Sequence, residues 1–81
     1  MEPISKNNIY LQFTHFIQKH FELPEKCKNV HQIQFYVHEL NALIDRYRSR
    51  FNFVPSPAYA LLLEYTVLYR AMTHKEHLLH L

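Results

Sequence analysis

Three histidines recur at regular spacing near the end of the chain, with His74, His77 and His80 at i, i+3 and i+6. On a helix, adjacent members of such a set share a face, so a pair of them has the spacing to ligate one metal ion. A tetrahedral site needs further donors, and Cys27, His20 and His31 are the clustered side chains that offer them. The run His74-Lys75-Glu76-His77 departs from the HExxH helix of zinc proteases in spacing and in the place of its glutamate. The expectation is therefore no metal and no cofactor. Histidines at a helix end are favoured there by the dipole, and a pH-switched interface is their competing use.

Nucleophilic chemistry has one candidate, Cys27 beside His20 or His31. No activating motif surrounds that thiol, and a cysteine without one is ordinarily inert. Ser56 reads as a helix cap and Ser49 as a helix-surface residue. The carboxylates Glu22, Glu25, Glu39, Asp45, Glu64 and Glu76 show no paired spacing for acid–base work. No enzyme activity and no small-molecule substrate are expected.

Arg46, Arg48 and Arg50 cluster where a second helix should end, with Lys26 and Lys28 before its start. Arg46 and Arg50 share a helix face, and Arg48 lies almost opposite. Cations in the last turn complement the helix dipole. The alternative use is phosphate contact, in a nucleic-acid-binding transcriptional regulator whose dimer joins two such sets. No helix-turn-helix, zinc-finger or RNP-type aromatic signature accompanies them.

The elements that must carry these residues follow from composition. The chain has 81 residues, no glycine, four prolines and 15% aromatic residues, which fits a single domain spanning residues 1–81. Phosphate-cradling loops, dinucleotide fingerprints and two-residue hairpins all need glycine, so none is expected. Net charge is +2, and protonation of the seven histidines would raise it to about +9. Cys27 stands alone, which excludes an internal disulfide and suggests a reducing, cytoplasmic setting. Residues Met1 to Asn8 contain no apolar signal region. The longest apolar run, Ala58–Leu63, is far short of the ~20 residues that cross a bilayer.

Helices are expected at about 5–22, 29–51 and 57–80. In the first, Ser5 or Asn7 serves as cap, and Ile9, Phe13, Phe16, Ile17 and His20 share one face. In the second, Asn29 and Gln32 form a capping-box pattern. Val30, Ile33, Val37, Leu40, Ile44, Tyr47 and Phe51 then alternate spacings of three and four, widened by Tyr36 and Leu43. Pro24 and Pro55 break the chain, and Ser56-Pro57 restarts it. Ala58, Leu62, Tyr65, Tyr69, Met72 and Leu79 form the third seam, with Glu76 at the intervening position, and Leu61 and Leu68 extend it. The predicted fold is all-α: an up-down-up three-helix bundle with a long helix 2–helix 3 hairpin, packed into a homodimeric helical bundle.

The third helix carries more apolar surface than this arrangement buries. Tyr59, Leu63 and Val67 stand at i, i+4 and i+8 on a side away from the seam. A helix that is apolar all round is normally surrounded by protein. Phe35 likewise points away from the second seam. These residues, with Arg70 at the rim, are the expected partner-binding surface. The function expected is a small intracellular protein–protein interaction module, an adaptor, chaperone or regulator, docking another protein or itself as a homodimer.

Overall fold

In the computed structural model, which describes residues 5–79, the chain forms α1 (Lys6–His20), a 3-10 turn (Pro24–Lys26), α2 (Val30–Phe51) and α3 (Ser56–Leu79). The described residues contain no strand. Each boundary has a local cause. Ser5 caps α1, its Oγ accepting from the Asn8 amide at 3.2 Å. Asn29 caps α2, its Oδ1 accepting from the Gln32 amide at 2.8 Å. The Gln32 side chain reaches back as a capping box requires, but it accepts from the Lys28 amide at 2.8 Å rather than from that of Asn29. Pro57 lies in the first turn of α3, where a missing N–H costs nothing.

Helix α2 ends in a left-handed residue in spite of the absent glycine. Asn52 adopts φ 53° and ψ 32°, and its amide donates to the Arg48 carbonyl at 2.9 Å. Asparagine is among the few non-glycine residues that tolerate this conformation, because its short polar side chain can bond locally.

The core is built by α2 and α3 with one row from α1. Phe13, Ile33, Leu40, Leu43, Ile44, Ala58 and Tyr65 are buried together. Tyr65 is fully enclosed, and its hydroxyl donates to the Glu22 carbonyl, so the buried polar atom is satisfied. The Tyr36 ring stacks on Tyr65 with centroids 5.7 Å apart, and Phe13 meets Tyr47 edge-on at 5.3 Å. Side-chain bonds tie the hairpin at both ends. Arg48 donates to the Tyr59 hydroxyl and Gln34 to the Tyr69 hydroxyl, each at 3.1 Å.

The face of α1 differs from the expected one. Phe16 and His20 are exposed and lie against each other, with ring centroids 4.4 Å apart. The covered row is instead Ile9, Phe13 and Ile17, continued by Phe21 just past the helix. Steps of four residues drift around a helix, and a helix crossing its neighbours at an angle buries such a row rather than a fixed stripe. Between α1 and α2 the chain stays against the rest of the fold. Pro24 is buried, and the 3-10 turn packs along α3.

Candidate docking surface

Three neighbours divide the circumference of α3. Leu62, Thr66 and Tyr69 adjoin α2, while Leu61 and Leu68 turn toward α1 and the 3-10 turn. What remains is a stripe of Ala60, Leu63, Val67, Arg70, Ala71 and His74, all exposed and within about 100° of arc. Leu63 is 64% exposed and Val67 58%. The 3-10 turn flanks the stripe, and a shallow depression of about 490 Å³ lies among Pro24, Glu25, Leu63, Glu64, Val67 and Ala71.

The structure thus brings Leu63, Val67 and Arg70 onto one free face. Tyr59 sits at its edge, 46% exposed, with its hydroxyl held by Arg48. Phe35 is exposed too but belongs to a different hollow. It lies with Phe16, Phe21, Tyr36 and Arg46 in a groove of about 230 Å³ between α1 and α2, which α3 does not line. Sequence reasoning missed Ala60 and Ala71 as members of the α3 stripe and Phe16 as a groove wall. The alanines were legible from their spacing to Leu63 and Val67. Phe16 was not, because its exposure depends on the crossing angle of α1.

The three arginines point in three ways. Arg48 is engaged by Tyr59 and lies 3.7 Å from Asp45. Arg50 lies over the Phe51 ring at 5.5 Å. Arg46 lines the α1–α2 groove.

Cys27 is half-buried, and its thiol donates to the Leu23 carbonyl at 3.6 Å. Burial, helped by the Glu22 carboxylate, pushes the thiol above its ordinary range, which suppresses the thiolate a nucleophile needs. No group of three or more metal-ligating side chains occurs among the described residues. His74 is exposed, and the side chains of His77 and His80 lie outside the described residues. No described helix is long and apolar enough to cross a membrane.

Comparison with protein-family models, curated proteins and solved structures finds no match for this chain.

Proposed function

We propose that the protein is a small cytoplasmic helical interaction module, an adaptor, chaperone or regulator, that docks the outward face of α3 against another protein. In this reading the three helices form an up-down-up bundle, and the docked protein is a separate partner or, in a homodimer, a second copy of the chain. One observation carries it: Leu63 and Val67, on a single helix face with alanines beside them, are more than half exposed. Exposed apolar surface that is contiguous and rimmed by polar residues marks interaction sites. Arg70 and Tyr59 stand at that rim, and both residue types are enriched in interfaces.

The test is an apolar-dye titration with light scattering on the wild type and on Leu63→Glu. Wild type binds the dye or self-associates, and Leu63→Glu loses that property while keeping its helical circular dichroism. A wild type that is monomeric and dye-silent would remove the basis of the proposal.

A further inference from the structure

We infer that the α3 stripe docks on a second copy of this chain, with the two α3 helices antiparallel about a two-fold axis through Val67. This rests on the docking reading above and specifies its occupant and direction. A two-fold interface is isologous, so residue pairs recur in both directions. With the axis at Val67, Leu63 of one copy shares a layer with Ala71 of the other, and His74 shares one with Ala60. Val67 meets Val67. Off the axis Leu63 and His74 each lie beside an alanine, and Arg70 shares a layer with the exposed Glu64 of the other copy, an opposite charge, so the helices can stay in close contact along the stripe.

The parallel alternative fits worse. It sets Leu63 on Leu63 and Ala71 on Ala71, alternating crowded and empty layers. It also places the imidazoles of His74 against each other at the end of the stripe, whereas the antiparallel layers set each beside an alanine. The size of the face agrees with self-pairing of modest strength. Tyr59 to His74 spans about 24 Å of helix. A contact of that length and one helix wide buries on the order of 1,000 Å² in total, the small end of specific interfaces.

Cross-linking tests the arrangement in a Cys27→Ser background, at a concentration where light scattering reads dimer. Val67→Cys lies on the axis and forms an intermolecular disulfide under mild oxidation. Leu63→Cys does not, because its two copies stand about 12 Å apart along the helices, beyond disulfide reach. Mixing Leu63→Cys with Ala71→Cys restores cross-linking and yields only the mixed product. Self-cross-linking of Leu63→Cys, or failure of Val67→Cys to cross-link, overturns the antiparallel pairing. A wild type that remains monomeric overturns self-docking altogether. Dye binding that Leu63→Glu abolishes would then still support the face as a docking site for another protein, so the two failures are told apart.

Discussion

Tyr65 shows how one side chain serves both packing and polarity. Its ring fills the centre of the core, and its hydroxyl holds the chain that leaves α1 by the Glu22 carbonyl. Tyr65→Phe keeps the ring and removes the bond, so a loss of about 1 kcal/mol is expected from denaturant unfolding. Burial, with smaller contributions from Cys27 and other nearby groups, raises the Tyr65 hydroxyl well above a tyrosine's ordinary range. The folded state therefore keeps its proton when the unfolded chain loses it near pH ~10. That contribution is fully present below pH ~10 and shrinks as pH rises beyond it. Thermal melts should show the wild-type advantage over Tyr65→Phe narrowing in alkali, and a constant advantage would refute the assignment. Cys27 gives a second check. Its raised thiol should react with a disulfide reagent at pH 8 more slowly in the folded protein than in urea.

Among the elements, the ends of α2 are the most sharply determined. Asn52 holds a left-handed conformation that a residue with an ordinary side chain resists by about 1 kcal/mol. Asn52→Ala should cost about that much, whereas Asn52→Gly should be neutral or slightly stabilising, as read from unfolding midpoints. The all-helical architecture was legible in advance, because Pro24, Asn29, Pro55 and the spacing of Ile33, Leu40 and Ile44 are local signals. The free face of α3 was legible for a similar reason: Leu63 and Val67 lie off the seam whatever the seam packs against. The face of α1 was not, since Phe16 and Ile17 are equally apolar neighbours. Only the angle at which α1 crosses decides which one is covered.

The whole molecule is elongated, with a radius of gyration of 15.1 Å against ~12 Å for a compact chain of this length. Unequal helices contribute to this. α1, of 15 residues, extends about 22 Å, and α3, of 24 residues, about 36 Å, so α1 can shield only part of its neighbour. Leu63→Glu should therefore leave the stability of the monomer within about 0.5 kcal/mol of wild type. Leu40→Ala, in the sealed core, should cost about 2–5 kcal/mol. Salt gives a further reading at this scale. Docking through an apolar face persists from 50 to 500 mM salt, as followed by light scattering. Binding to duplex DNA that vanished over that range would favour phosphate contact by the arginines instead.

By itself the sequence determined the helices, their caps and breaks, the α2–α3 seam and the off-seam stripe of Leu63 and Val67. These depend on neighbours within a few residues, where hydrogen bonding and periodicity act directly. Tertiary structure alone decided that Phe16 and Phe35 belong to a separate groove, that Arg48 is spent on Tyr59, and that the chain after α1 packs along α3. Each of those outcomes turns on crossing angle and relative helix length. Many crossings satisfy the same apolar pattern, and only close packing of the assembled core selects one of them.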